Sequence, residues 1–171
     1  IESAAAWRGP EMRERASTWH FEIEPADLEE LDRELSRLRD KNTPLESITR
    51  SGLHLPRLSK KCKEWQSELM HGRGFVLLSG LPVEVWGESR SALAFWAIGH
   101  QLGLPGAQNP DGELLGHVKD YGEHSDSPNV RLYRTPSNIN FHCDAADVVG
   151  LLCLHTARSG GQSRIASSVS I

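Results

Sequence analysis

The apolar positions of this chain fall into three helical periods followed by a series of short extended runs. After Pro25, Leu28, Leu31, Leu35 and Leu38 recur at three- and four-residue steps, with acidic residues early and Arg37 and Arg39 late, as the helix dipole favours. This predicts an amphipathic helix from Pro25 to about Lys41 or Asn42, with a solvated charged face. Thr43 to Pro56 is turn-rich. A second helix is expected from about Arg57 to His71, where Leu58, Cys62, Trp65 and Leu69 share a face and Gly72 can end it. A third, about Ser89 to Leu102, carries Leu93, Trp96 and Ile98 and closes at Gly103. His100, near that end, reads as a residue that complements the dipole or faces solvent.

Between the second and third helices, Phe75 to Leu78 reads as a short buried strand, stopped by Ser79-Gly80-Leu81-Pro82. Gly103 to Gly112 is a loop by composition. Leu114 to Val118 and Val130 to Tyr133 look extended, and Val148 to Leu154 reads as a buried strand. The break Ala157-Arg158-Ser159-Gly160-Gly161-Gln162-Ser163 then leads into a second extended piece. Residues 1–24 show no clear period and read as an arm laid over the domain, its Trp residues packed against it. Helices in front and strands behind give an α+β layout, with helices covering one face of a mostly antiparallel sheet.

Composition narrows the function. At 171 residues and 38% hydrophobic, the chain is long enough for one domain with a real core, and no apolar stretch approaches a membrane span. Nineteen basic against 23 acidic residues give a net charge of -4, without a basic block interleaved with aromatics, which argues against a nucleic-acid partner. Cys62, Cys143 and Cys153 are widely spaced and odd in number. That pattern fits neither a disulfide framework nor a zinc knuckle and suits a reducing, cytoplasmic setting, with Cys62 in the core. The first residue is Ile1 and no charged-then-apolar leader follows, so the natural start is expected to lie upstream.

The chemistry concentrates in Asn138-Ile139-Asn140-Phe141-His142-Cys143-Asp144. In an extended segment His142 and Asp144 point one way and Cys143 the other. An imidazole and a carboxylate so placed supply two of the three protein ligands of a 2-His-1-carboxylate site, which keeps coordination positions open on Fe(II). Alone, H-x-D is a weak signal, and a hydrogen-bonded His beside a turn Asp is the alternative. His117 and His124 read as solvent-facing loop residues. His155 is weighed as a further ligand against a hydrogen-bonded or exposed strand histidine.

The segment FHCDAADVVGLLCLHTARSGGQSRIAS resembles the core of the TauD/TfdA-type Fe(II)/2-oxoglutarate-dependent oxygenases. GFVLLSGLP and GELLGHVKDYG are similar to that family's upstream segments, so the resemblance covers roughly residues 70–171. It implies a double-stranded β-helix (jelly-roll, cupin-like) core with N-terminal helices packed on the outer sheet. It implies Fe(II) held by His142 and Asp144, and 2-oxoglutarate as co-substrate. Oxidation of a small organic molecule, by hydroxylation or related C–H chemistry, would follow. Ser163 matches the position of a Thr whose hydroxyl bonds the 2-oxoglutarate carboxylate, with a turn-stabilising Ser as the alternative. Asn138 matches a substrate-contacting Asn, with a turn role as the alternative. Asp147 or a main-chain carbonyl is expected to fix the tautomer of His142.

The resemblance also marks a departure. The family's second iron-binding His and its 2-oxoglutarate-pairing Arg lie far downstream of the first ligands and have no counterpart here. Residues 25–171 are therefore expected to be the front part of the oxygenase domain, with the second half absent. A chain that truly ended at Ile171 would bind iron weakly and be inactive. Its unpaired sheet edges would need a partner chain, which a homo-oligomer would supply. Two other classes remain open: a non-enzymatic cupin-like domain that binds a metal or small molecule, and a fragment that works by complementing a second chain.

Overall fold

The computed structural model describes residues 2–110, 112–119 and 139–171. They divide into two compact units, Ile1–Leu104 with Gly150–Ile171, and Pro105–Val149.

In the first unit the elements run α1 (Gly9–Glu14), β1 (His20–Glu22), α2 (Pro25–Asp40), α3 (Pro56–His71), β2 (Leu77–Ser79) and α4 (Val83–Leu102), with single 3-10 turns between some of them. The layout is α+β. Leu31 and Leu35 of α2 pack in one cluster with Leu58, Cys62 and Trp65 of α3 and Ala94, Ala97 and Ile98 of α4, all buried. Pro56 opens α3 where its missing N–H is harmless, and Gly72 ends it. Helix α4 begins earlier than its apolar period predicts, because a short first turn joins it across a kink at Gly87 (φ 69°, ψ 178°). That backbone region is accessible essentially to glycine alone.

The charged face of α2 departs from expectation. Asp27, Glu30 and Glu34 are buried, not solvated. Glu30 Oε1 accepts the Arg57 N–H (3.0 Å) and its Oε2 the Leu58 N–H (2.9 Å), while Glu34 Oε1 accepts that of His54 (2.9 Å). Helix α3 has Leu55 at its N-cap, a residue with no side-chain acceptor, so its orphan N–H groups take carboxylates from α2. Lys61 Nζ (2.5 Å) and Arg57 Nε (3.2 Å) neutralise Asp27. Helix α4 is tied to α2 by Arg90, which donates to Asp32 Oδ1 (2.5 Å) and lies over the Trp86 ring at 5.6 Å. It is tied to α3 by Gln66, whose Nε2 donates to the Leu102 carbonyl (2.7 Å) at the α4 C-terminus.

His100 is the second correction. It is buried at 7% exposure, edge-on to Trp96, and among the described residues neither ring nitrogen has a hydrogen-bond partner. Burial lowers its pKa. A neutral, packed ring replaces the surface or dipole-complementing residue expected from its position.

Strands β1 and β2 pair in parallel, His20 opposite Leu77, Phe21 opposite Leu78 and Glu22 opposite Ser79. The expected sheet was mostly antiparallel, but β1 and β2 are linked through α2 and α3, the long crossover that parallel neighbours require. Residues of the predicted arm take part, since β1 lies there. Trp7 Nε1 donates to the Arg73 carbonyl (2.8 Å), Trp19 Nε1 to that of Met12 (2.7 Å), and both rings meet Phe75.

The predicted strand over Val148 to Leu154 is also corrected. No ladder forms along it among the described residues, and Leu151 is 75% exposed. Its sequence suits a strand, but burial requires a neighbouring ladder and a covering layer. Within the first unit, Gly150 rests against Phe95 of α4, where an added Cβ would stand 3.2 Å from the ring. Leu114 to Val118, in the second unit, likewise carries no strand. Asn109 organises the preceding turn there, giving Nδ2 to Glu113 Oε2 (2.5 Å) and accepting the Glu113 N–H (3.2 Å). Val130 to Tyr133 and His124 lie outside the described residues.

Candidate metal centre

His142 and Asp144 belong to the second unit, in an irregular segment beginning at Ile139. The two side chains approach each other: His142 Nε2 stands 3.7 Å from Asp144 Oδ1. The other ring nitrogen, Nδ1, lies 2.8 Å from the Asn140 main-chain carbonyl. Both side chains are 55% exposed, so an ion can reach them. Cys143 is exposed.

The donor set fits a first-row divalent ion in type and reach. Two donors each about 2.1 Å from one ion are at most about 4.2 Å apart. The observed 3.7 Å lies inside that limit. Imidazole nitrogen and carboxylate oxygen suit iron, and two protein donors leave most of the coordination sphere open. Among the described residues no group of three or more His, Cys, Asp or Glu side chains gathers as a metal cage.

The other candidate residues are placed less closely. Asn138 lies outside the described residues. Ser163 belongs to the first unit, exposed, just after Gly160 and Gly161, which both have left-handed backbone (φ 74° and 72°). His155 and His117 are exposed. The Asn140 carbonyl had no particular mark in the sequence, since every residue carries one.

A family model described as taurine catabolism dioxygenase TauD, TfdA family matches residues 41–171. The chain belongs to the TauD/TfdA family. The match begins well before the Gly74 motif that opens the sequence resemblance, and so takes in α3 as well as the His142-x-Asp144 segment. Members of the TauD/TfdA family are in general Fe(II)- and 2-oxoglutarate-dependent. The chain is 28% identical over 172 residues to FR-33289 synthase of Streptomyces rubellomurinus, an alignment covering 100% of the chain and 50% of that protein. It is 26% identical over 157 residues to the taurine hydroxylase-like protein SAT17 of Stachybotrys chartarum, covering 87% of the chain and 40% of that protein. The chain thus spans half or less of the length of these relatives. No helix among the described residues is long and apolar enough to cross a membrane.

Proposed function

We propose that this TauD/TfdA chain is the front part of a non-haem Fe(II)/2-oxoglutarate-dependent dioxygenase that hydroxylates, or oxidises by related C–H chemistry, a small organic molecule. The observation that carries the reading is the approach of His142 Nε2 and Asp144 Oδ1, 3.7 Å apart and open to solvent, within the residues the family model matches. The names of the two relatives, a synthase and a taurine hydroxylase-like protein, support a small-molecule substrate.

In this reading His142 and Asp144 hold the iron and leave its remaining face free. When bound, Fe(II) supplies oxygen activation coupled to decarboxylation of 2-oxoglutarate to succinate. Ser163 donates its hydroxyl to a 2-oxoglutarate carboxylate, and Asn138 contacts the substrate. Residues 25–171 contribute to a double-stranded β-helix that excludes water from the reaction, with residues 1–24 as its arm. The exposed apolar run around Leu151 supports this, since it has the composition of a strand awaiting its ladder. The free cysteines support a cytoplasmic site of action.

The test is anaerobic addition of Fe(II) and 2-oxoglutarate to the intact polypeptide as the cell makes it. A weak visible charge-transfer band is expected, lost in His142→Ala and in Asp144→Ala. A band indifferent to both substitutions overturns the ligand assignment. A second reading, a cupin-like module that binds a metal or small molecule without oxidising anything, draws on the same exposed two-donor pair. It predicts metal binding with no succinate formed.

A further inference from the structure

The contact between His142 Nδ1 and the Asn140 carbonyl, at 2.8 Å, has only one chemical reading. A carbonyl oxygen accepts and never donates, so Nδ1 must carry the proton. In a neutral imidazole the other nitrogen, Nε2, then holds a lone pair, and Nε2 is the atom that lies 3.7 Å from Asp144 Oδ1. The lone pair and the carboxylate thus share one side, while the proton is parked on the backbone.

We infer that the Asn140 main-chain carbonyl is a positioning group that selects the Nδ1–H tautomer of His142, so that Nε2 is presented as a ready cation donor beside Asp144. The inference rests on reading His142 and Asp144 as metal ligands. Local geometry makes the arrangement self-contained: Asn140, His142 and Asp144 sit two residues apart within one compact unit. Among the described residues the segment takes part in no sheet ladder, which leaves the Asn140 oxygen available to the ring. Orienting groups behind a ligating histidine raise its basicity and fix its ring, and their loss typically weakens metal binding 10- to 100-fold.

The experiment is nitrogen-15 NMR of the protein labelled at histidine and free of metal, at a pH where the ring is neutral. The His142 signals are identified by their absence in His142→Gln. A pyrrole-type Nδ1 and a pyridine-type Nε2 are expected. Replacing the Asn140–Phe141 amide with an ester makes the Asn140 carbonyl a poorer acceptor. That change should move the population toward Nε2–H and weaken Co(II) binding about 10-fold. An Nε2–H ring in the unmodified protein overturns the inference, whatever the ester variant does. So does an ester variant with the same tautomer ratio and the same Co(II) affinity. Failure of the underlying reading looks different: an Nδ1–H ring that responds to the ester, with Co(II) affinity indifferent to both His142→Gln and Asp144→Asn, keeps the tautomer assignment and removes the metal.

Discussion

Glu30 caps a helix to which it does not belong, its two carboxylate oxygens taking the main-chain N–H groups of Arg57 and Leu58 at 3.0 and 2.9 Å. Glu30→Ala leaves one buried and one part-buried donor without their carboxylate and should destabilise the protein by about 2 kcal/mol. Glu30→Gln keeps one acceptor oxygen and should lose about half as much. Urea midpoints of the two variants and the parent decide the ranking. Equal midpoints would show that water satisfies the α3 terminus.

Asp27 gives the protein an acid-sensitive joint. Burial would raise its carboxyl, but hydrogen bonds from Lys61 and Arg57 outweigh that effect and hold it below its ordinary value. The stabilisation is therefore complete above the ordinary carboxylate range and fades as pH falls through the depressed value. Asp27→Asn should remove about 2 kcal/mol at neutral pH, less than for a fully buried pair because Arg57 is half exposed. The gap between parent and variant should narrow in acid. Thermal unfolding across a pH series measures it.

His100 acts in a different window. Burial depresses its pKa below 6.5, so the unfolded chain takes up a proton at a higher pH than the folded one does. Stability falls as pH drops from 6.5 toward the folded-state value and levels off below it. His100→Leu removes two unpartnered nitrogens and should flatten this slope while changing stability at neutral pH by about 1 kcal/mol or less. A slope unchanged in the variant would assign the pH response to another group.

The three cysteines should separate by reactivity. Cys62 is fully buried and its thiol is pushed up to about 12, whereas Cys143 and Cys153 are exposed. Iodoacetamide under native conditions should modify the latter two and spare Cys62 until the protein unfolds. Peptide mass spectrometry reads the outcome directly.

Helices α2 and α3 and the end of α4 were legible because apolar residues at three- and four-residue steps, with Pro25 at one start and Gly72 and Gly103 at two ends, state period and limits, whereas α1, six residues within the arm, was missed. The roles of Asp27, Glu30 and Glu34 were not. Along α2 they look like any polar face, and what buries them is the uncapped start of α3, which belongs to a different part of the chain. Strand β1 was missed because three residues are too few to display an alternation. Its pairing with β2 is a long-range event that no window of sequence contains. The approach of His142 to Asp144 matches the shared side expected of an extended segment, although the segment itself is irregular, with a bend at Phe141. Whether the apolar run from Val148 forms a strand depends on its neighbours, and hydrophobicity alone is silent on those.

The parallel pairing of β1 with β2 sets an order on biosynthesis. Fifty-nine positions separate His20 from Ser79, whose side chains meet at 2.9 Å. At about 5–20 residues per second, the first of these is made roughly 3 to 12 seconds before the second. During that interval His20–Glu22 has no mate, and α2 and α3 have time to associate first. The two-stranded sheet can therefore close only after α2 and α3 have been made, while α4, which completes their core, is still to come.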